Sequence, residues 1–207
     1  MNEKSACLEM KKKLRREIKD KITEITPLLS DYSSRICDFI IGAHVYKSCK
    51  NLLAYMALPD EVNLQKLICR ALEDGKNVFI PKVISTATDG EDRMIFYQYL
   101  SEKDCCKGSF GISEPSSETL SFDFNNDNSG TSLIIVPGRA FAADGSRLGR
   151  GKAFYDSFLS KARKLLGSKV VFCGAGFGVQ FLDALPLETH DIKMDLLVNE
   201  NGFVAKN

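Results

Sequence analysis

Short apolar runs alternate with stretches of helical periodicity along most of this chain, and this alternation constrains its fold more than any other feature. Residues 51–58 (NLLAYMAL) predict a buried strand. Residues 62–74 then have helical spacing, which ends at Gly75, a residue suited to a left-handed helix cap. Residues 77–83 (NVFIPKV) predict the next strand. A strand, a helix and a strand in this order form a crossover unit with two parallel strands.

Further elements extend this pattern on both sides. Apolar residues at positions 14, 18, 22 and 25 predict a first helix that Pro27 ends, and a second helix is expected over 32–46. The other apolar runs predict strands at 94–100, 133–136, 170–177 and 194–203 and a helix at 154–166. Residues 113–131 are rich in Ser, Asn, Asp, Gly and Pro and predict a flexible loop.

These elements predict a single three-layer α/β domain over residues 1–207, with a mostly parallel sheet flanked by helices. A chain of 207 residues, 44% of them hydrophobic, is long enough for one well-filled core. Sheets of this kind bind ligands beyond the carboxyl ends of their strands. Functional residues are therefore expected in the segments that follow strands.

Charge and cysteine content exclude several classes of protein. The chain has 28 Lys and Arg against 27 Asp and Glu, so it lacks the net field with which proteins bind nucleic acid or an anionic membrane. Its N-terminal segment is highly charged and no apolar stretch approaches about 18 residues, so we expect neither a signal peptide nor a membrane span. Seven cysteines without a CxxC pair favour free thiols in a reducing compartment and indicate no zinc site. We expect a cytoplasmic monomer that acts on small molecules.

The segment over residues 136–159 carries the chemistry. It follows a predicted strand, precedes a predicted helix and interleaves glycines with basic residues: Gly145, Arg147, Gly149, Arg150, Gly151 and Lys152. Glycines, a helix N-terminus and fixed positive charge together suit the phosphate tail of a nucleotide. One turn later, Asp156 can reach a cation that bridges phosphates, since magnesium prefers carboxylate and phosphate oxygens. Composition alone leaves a solvated basic loop as an equal alternative.

A longer pattern favours the phosphate site. The string PGxxFxxxGxRLGRGKx(F/Y)YD, which begins at Pro137, closely resembles the signature of 5-formyltetrahydrofolate cyclo-ligases, also called methenyltetrahydrofolate synthetases. The resemblance continues in the family's order through KKKLRREIKD, MALPDEVN, GKNVFIPKV, FGISEP and LETHDIKMDLLV, nearly the whole chain. It implies a topology like that of sugar-phosphate isomerases and CoA-transferases. It also implies closure of 5-formyltetrahydrofolate to 5,10-methenyltetrahydrofolate with cleavage of ATP to ADP and phosphate.

The resemblance also implies the residues of the site. The implied ATP contacts are Lys11, Arg15, Arg147, Leu148, Gly149, Arg150, Gly151, Lys152, Ala153, Phe154 and Tyr155. The implied substrate contacts are Met56, Glu61, Phe110, Arg150, Gly151, Lys152, Ala153 and Phe154. Lys152, Arg150 and Tyr155 are implied to be catalytic, with the Tyr155 hydroxyl near the formyl group. Asp156 and Asp191 are implied to hold Mg²⁺.

Two positions depart from the family pattern. The family usually has glycine where this chain has Ala153, and commonly has tyrosine where it has Phe154. Because the apolar residues from Phe154 onwards follow helical spacing, we expect Ala153 to lie already in the first helical turn. In that conformation the exchange of glycine for alanine would be harmless.

Without the resemblance, several of these residues favour structural roles. Lys11 and Arg15 would form the solvated face of an amphipathic helix. Glu61 would interact with a helix N-terminus, and Asp191 would cap a turn.

Two other functions stay open at this point. A sugar-phosphate isomerase or transferase on a similar fold would need neither nucleotide nor magnesium, so ATP hydrolysis that depends on formylfolate separates it from a cyclo-ligase. The second is a folate- or nucleotide-binding protein whose catalysis is weakened at Ala153. Binding of both ligands without turnover would identify it.

Overall fold

The structure is a computed structural model that describes residues 3–84, 93–101, 105–107, 113–115, 119–124, 130–186 and 191–205. Its helices are α1 (Glu3–Glu24), α2 (Leu29–Gly42), α3 (His44–Ser48), α4 (Gln65–Glu73) and α5 (Phe154–Leu166). Its strands are β1 (Asn51–Leu53), β2 (Asn77–Ile84), β3 (Arg93–Gln98), β4 (Cys105–Lys107), β5 (Ser113–Pro115), β6 (Ser132–Pro137), β7 (Ala140–Ala142), β8 (Arg147–Leu148), β9 (Val170–Ala175), β10 (Phe181–Leu182), β11 (Leu196–Asn199) and β12 (Gly202–Phe203).

A central sheet of seven strands has the order β12-β11-β9-β6-β1-β2-β3. The five inner strands run parallel, and both edge strands, β3 and β12, pair antiparallel with their neighbours. A smaller sheet has the order β10-β7-β8, and β4 pairs with β5. The predicted mostly parallel sheet flanked by helices is confirmed.

The two faces of the central sheet carry separate hydrophobic cores. Side chains of α1, α2 and α4, such as Ile18, Ile36 and Leu67, pack on one face together with Leu52 of β1. The next residue of that strand, Leu53, faces the other side and packs in the core that includes α5. This alternation along β1 confirms that the sheet is buried on both faces, as expected for a parallel sheet in the middle of three layers.

The ring of Phe141 lies in the second core among glycines. An ideal Cβ atom would lie 2.6 Å from this ring at Gly138, 2.6 Å at Gly174 and 2.8 Å at Gly176. These distances are shorter than real Cβ contacts, so the ring occupies the space that a side chain would need. We call Phe141 with these three glycines the Phe141 cradle.

The helical predictions are confirmed in type and differ at their ends. The helix predicted over 32–46 is two helices, α2 and α3, because Ala43 between them has extended backbone (φ −72°, ψ 146°). Gly42, a poor helix former, precedes this break. The helix predicted from residue 62 begins at Gln65, since the Asn63 side chain accepts a hydrogen bond from the Gln65 amide and replaces a helical turn.

Two predictions from composition are wrong at their boundaries. The strand predicted over 51–58 is regular only over Asn51–Leu53, although the Ala54 amide still donates to the Phe79 carbonyl. A turn follows at residues 58–61, in which the Glu61 amide donates to the Leu58 carbonyl and the Glu61 carboxylate accepts from the Leu58 amide. The loop predicted over 113–131 contains β5 (Ser113–Pro115), which pairs with β4. Phe122 within it is buried and packs edge-on against Phe79.

No helix in the described part of the chain is long and apolar enough to cross a membrane. Five cysteines that the structure describes are free thiols, as expected: Cys7, Cys37, Cys49, Cys69 and Cys173.

Candidate active site

The candidate site lies at the carboxyl edge of the central sheet, where predicted functional residues from distant parts of the chain meet. After β6 the chain forms the β7–β8 hairpin. We define the signature loop as residues 145–153, which include β8 and end where α5 begins. Helix α1 and the segment from Asp191 onwards approach the same loop. The crossover topology therefore brings together residues that are far apart in sequence.

Helix α1 contributes two basic side chains to this edge. Lys11 donates a hydrogen bond from Nζ to Asp191 Oδ2 at 3.1 Å, and both side chains are largely buried, with 7% and 16% of their surface exposed. Arg15 donates from Nε to the Gly149 carbonyl at 2.8 Å. An ideal Cβ at Gly151 would lie 3.5 Å from the Arg15 guanidinium, so the loop passes close to this side chain. Lys11 is thus not part of a solvated helix face.

Arg147, in the β8 part of the signature loop, is buried and holds Asp156. Its Nη2 donates to Asp156 Oδ1 at 2.6 Å, and its Nη1 donates to the Pro137 carbonyl at 3.2 Å. An ideal Cβ at Gly149 would lie 2.9 Å from Arg147 Nη1, so glycine leaves room for the guanidinium. This ion pair fixes the first turn of α5 to the end of β6.

Arg150 points to the turn after β1 and meets two carboxylates there. Its Nε donates to Glu61 Oε1 at 2.8 Å, and its Nη2 donates to Asp60 Oδ1. The other Asp60 oxygen accepts a hydrogen bond from Nη1 of Arg139. Partial burial disfavours the charged carboxylate of Asp60, but the bonds from Arg150 and Arg139 outweigh this cost and lower its pKa.

Two tyrosine hydroxyls are buried near Glu61. Neither Tyr55 Oη nor Tyr155 Oη has a hydrogen-bond partner within the described ranges. Burial raises the pKa of both hydroxyls, and the negative charge of Glu61 raises each pKa further. The Arg147 guanidinium lies over the Tyr155 ring, 5.8 Å from its centroid. Buried hydroxyls normally have partners, so these two are available to a bound molecule.

Ala153 has left-handed backbone, and the expectation that it lies in the first helical turn is wrong. Its φ is 54° and its ψ is 8°, and it is the residue that precedes α5. Among the described residues other than glycine, it alone has positive φ. The helical spacing from Phe154 onwards is confirmed, but the loop must turn sharply before that helix can begin. This turn explains why the family pattern has glycine at the position.

Comparison with known proteins identifies the family. The sequence profile of the 5-formyltetrahydrofolate cyclo-ligase family matches residues 8–200. The chain belongs to this family. A relative from Schizosaccharomyces pombe, named as a probable 5-formyltetrahydrofolate cyclo-ligase, is 34% identical over 86% of this chain and 88% of its own length. The mouse 5-formyltetrahydrofolate cyclo-ligase is 26% identical over 79% of each chain.

Solved structures agree with this assignment to the cyclo-ligase family. The NMR structure of 5,10-methenyltetrahydrofolate synthetase from Aquifex aeolicus superposes with a TM-score of 0.77 at 26% identity, covering 95% of this chain and 92% of that one. The synthetase from Mycoplasma pneumoniae superposes with a TM-score of 0.68 at 23% identity, covering 92% and 98%, and supports the fold.

The carboxylates at this edge fit a magnesium ion that is held partly by substrate. Within the described ranges no group of three or more His, Cys, Asp or Glu side chains could form a metal cage. Magnesium needs no such cage, since one or two carboxylates suffice when phosphate and water supply the other ligands. Asp156 and Asp191 each use one oxygen in an ion pair, with Arg147 and Lys11 respectively. The carboxylate oxygens of these two residues are the donor type that magnesium prefers, so they fit magnesium that arrives with a nucleotide.

The remaining predicted site residues differ in how far they are exposed to solvent. Lys152 is exposed, with its Nζ 6.0 Å from the Phe154 ring centroid. Leu148 is buried in β8, and Met56 is half-buried against the first core. Phe110 lies outside the described residues. The predictions missed Asp60, Arg139 and Tyr55; Asp60 could have been noticed as the neighbour of Glu61, but nothing in the sequence links Arg139 to them.

Proposed function

We propose that this chain closes 5-formyltetrahydrofolate to 5,10-methenyltetrahydrofolate and cleaves ATP to ADP and phosphate. The observation that carries the proposal is the meeting of three segments at the carboxyl edge of the sheet. Lys11 of α1 binds Asp191, and Arg15 binds the signature loop at Gly149. Membership of the family supports the same reaction, because its curated members are named for it.

The reaction has to activate a formamide, whose carbonyl is stabilised by resonance and whose oxygen leaves poorly. In the proposed first step the formyl oxygen attacks the terminal phosphorus of ATP and ADP leaves. The nitrogen at position 10 of the folate then attacks the activated formyl carbon and loses its proton, while the bond between that carbon and the phosphorylated oxygen breaks and phosphate leaves. The second step is intramolecular, so correct orientation of the folate gives much of its rate.

Basic side chains of the signature loop and α1 suit the phosphate half of this reaction. We assign Lys152 and Arg150 to the transferring phosphoryl group, because both lie at the exposed side of the loop. Lys11 and Arg15 extend the positive charge towards the rest of the triphosphate. Arg147 is buried and bound to Asp156, so it holds this carboxylate in place. Fixed charges of this kind stabilise a phosphoryl group in transfer without reorganisation.

The folate half of the reaction is assigned to the turn after β1. Glu61 is held by the Leu58 amide and by Arg150, so its carboxylate has a fixed orientation toward a bound pterin. Met56 adds apolar contact beside it. The Tyr155 hydroxyl, which is buried and has no hydrogen-bond partner among the described residues, is assigned to hydrogen bonding at the formyl group. Because burial raises the pKa of this hydroxyl, it keeps its proton at neutral pH and can donate a hydrogen bond.

Asp156 and Asp191 are the residues that would hold magnesium, which when bound neutralises charge on the phosphate oxygens. The two ion pairs orient both carboxylates before the nucleotide arrives.

The deciding experiment follows the absorbance of 5,10-methenyltetrahydrofolate when the purified chain is mixed with 5-formyltetrahydrofolate. We expect product with ATP and magnesium, and none when either is omitted. A matched variant, Asp156→Asn, keeps the size of the side chain and removes its charge, so it should need more magnesium for half-maximal rate. An unchanged magnesium titration would assign the metal to other residues.

The same assay separates the alternatives. Absence of product, together with no ATP cleavage in the presence of formylfolate, would favour an isomerase or transferase on this fold. Binding of both ligands without turnover would indicate a cyclo-ligase fold that has lost catalysis. The left-handed backbone of Ala153 is the feature that would account for such a loss, because it is a strained conformation directly next to Lys152.

A further inference from the structure

Four side chains form an alternating chain of charges between the turn after β1 and the signature loop. Arg139 binds Asp60, Asp60 binds Arg150, and Arg150 also binds Glu61. We call these residues the arginine–carboxylate quartet. Glu61 and Arg150 belong to the predicted site, whereas Asp60 and Arg139 have no assigned role. Position 139 lies outside the fixed residues of the signature string.

The contacts of Arg150 leave one edge of its guanidinium for a ligand. Nε binds Glu61 and Nη2 binds Asp60, so the two carboxylates occupy the edge that these nitrogens share. A guanidinium is planar and has a second edge, formed by Nη1 and the other hydrogen of Nη2. This second edge faces away from the carboxylates, and its two parallel donors match two oxygens of a phosphoryl group.

Arg139 fixes Asp60 from the other side. Asp60 gives one oxygen to Arg150 and the other to Arg139, so rotation of the carboxylate would break one of these bonds. The backbone of Arg139 is itself anchored, since its amide donates to the Leu148 carbonyl at 2.7 Å and its carbonyl accepts from Gln180 Nε2 at 3.1 Å. The Arg139 side chain is only 11% exposed. It therefore acts as a rigid support for Asp60.

We propose that Asp60 and Arg139 are positioning residues that orient the guanidinium of Arg150 toward the phosphoryl oxygens of the nucleotide. This proposal rests on the proposed function, in which Arg150 contacts the transferring group. Arg150 has a long side chain that is more than a third exposed. A hydrogen bond to Glu61 alone would hold only one of its nitrogens, and the guanidinium could still change its orientation. A misplacement of about 1 Å can cost roughly 10²-fold in rate, so a support of this kind has a measurable effect.

The test is a double-mutant cycle with Asp60→Asn and Arg139→Ala, in which kcat and the KM for ATP are measured. Each single variant should lower kcat/KM for ATP roughly tenfold, through a lower kcat together with severalfold weaker ATP binding. Because Arg139 acts through Asp60, Arg139→Ala should have little further effect in the Asp60→Asn background. Arg139→Lys keeps one donor for Asp60 and should recover part of the loss.

The control is Arg70→Ala, which removes an ion pair with Asp74 at the C-terminal end of α4 and should leave both constants unchanged. Thermal melts of each variant separate misfolding from loss of positioning. Wild-type constants in Arg139→Ala would overturn the proposal, as would losses that add in the double variant. Tighter ATP binding in Asp60→Asn with unchanged kcat would also overturn it, because Asp60 would then only compete with the nucleotide for Arg150.

Calorimetric titration with ATP measures nucleotide binding without catalysis, so it tests the positioning role separately from the proposed reaction. If the wild-type chain forms no methenyltetrahydrofolate, the proposed function fails. Severalfold weaker ATP binding in both single variants, without further weakening in the double variant, would still support the positioning role. Equal ATP binding in all four proteins would overturn it.

Discussion

The signature loop and the Phe141 cradle are both rich in glycine, yet Gly151 of the loop and the glycines of the cradle serve different purposes. In the cradle, an added Cβ would lie 2.6 Å from the Phe141 ring at Gly138 or Gly174, so glycine is needed for space. At Gly151 of the loop the nearest atom would lie 3.5 Å away, an ordinary contact, but φ is +101°. Glycine there is needed for backbone conformation. A glycine motif in the sequence therefore does not reveal whether a given glycine is required for lack of space or for its backbone conformation.

This difference predicts different consequences of substitution. The cradle lies in the core next to β6 and β9, and changes there should alter the free energy of unfolding. Residues 150–153 of the signature loop are exposed and carry proposed phosphate contacts, so changes there should alter turnover.

The largest effect is expected from Lys152→Ala in the signature loop. Loss of a fixed positive charge from the phosphate site should lower kcat by roughly 10²-fold, the usual cost of removing one stabilising group from a transition state. The side chain is exposed, so the melting temperature should hardly change. Steady-state kinetics and a thermal melt measure both quantities. Near-normal kcat in a folded variant would remove Lys152 from the site.

In the cradle, Gly174→Ala should destabilise the fold by roughly 2–3 kcal/mol, because the new methyl group overlaps the Phe141 ring and lies 2.8 Å from Leu197 Cδ2. Denaturant unfolding measures the change. The matched control is Gly42→Ala, where an added Cβ meets nothing within 4 Å at the end of α2, and a gain of roughly 0.5 kcal/mol is expected. Equal stability of Gly174→Ala and the wild type would mean that the cradle adjusts freely.

Ala153→Gly should stabilise the fold by about 1 kcal/mol, because glycine adopts the observed φ of 54° without strain. We also expect tighter ATP binding, since the strain lies next to Lys152. Melting curves with and without ATP for both proteins provide the measurement. A lower melting point for the glycine variant would indicate that alanine is helical there in solution, contrary to the structure.

The smallest effect concerns acid stability at the start of the signature loop. Lys193 and Ser146 bind the carboxylate of Asp144 and lower its pKa from 3.8 to about 2. This contribution to stability is present above pH 3.8 and is lost as the pH falls toward about 2. Asp144→Asn should therefore melt lower at neutral pH and change less between pH 4 and 2, although solvent screening keeps the difference small. Lys193→Ala should flatten the same profile, and an unchanged slope in both variants would contradict the assignment.

Much of the fold was predictable because it depends on local periodicity. The stripe of Ile18 and Ile22, the apolar runs of β6 and β9 and the spacing after Phe154 predict elements that the structure confirms. The predicted helix boundary was wrong where a polar side chain competes with the backbone for a hydrogen bond, as Asn63 does before the start of α4. The strands β4 and β5, which pair with each other, have only three residues each, too few to show a recognisable alternation of apolar residues.

The site was predictable only where a residue belongs to a sequence motif. Arg150 and Glu61 come from two motifs, and the structure brings them into contact. Arg139 carries no such signal, because its role depends on Asp60, which lies 79 positions earlier in the chain. The conformation of Ala153 was missed for another reason: helical spacing after a residue does not report the backbone of the residue itself, and only the turn from β8 into α5 determines it.

The bond between Lys11 and Asp191 joins residues 180 positions apart, and this separation has a consequence for the timing of folding. During synthesis, α1 leaves the ribosome long before Asp191 has been made. Lys11 therefore lacks this partner while the first strands of the sheet assemble. Contacts of such long range form late, since closing a long loop costs entropy that other contacts must first offset. A nascent chain can therefore pair the strands from β1 to β9 while the side of the candidate site that contains Asp191 is still incomplete. A ligand that binds at this side would then stabilise the chain only at the final stage of folding, after the last strands have joined the sheet.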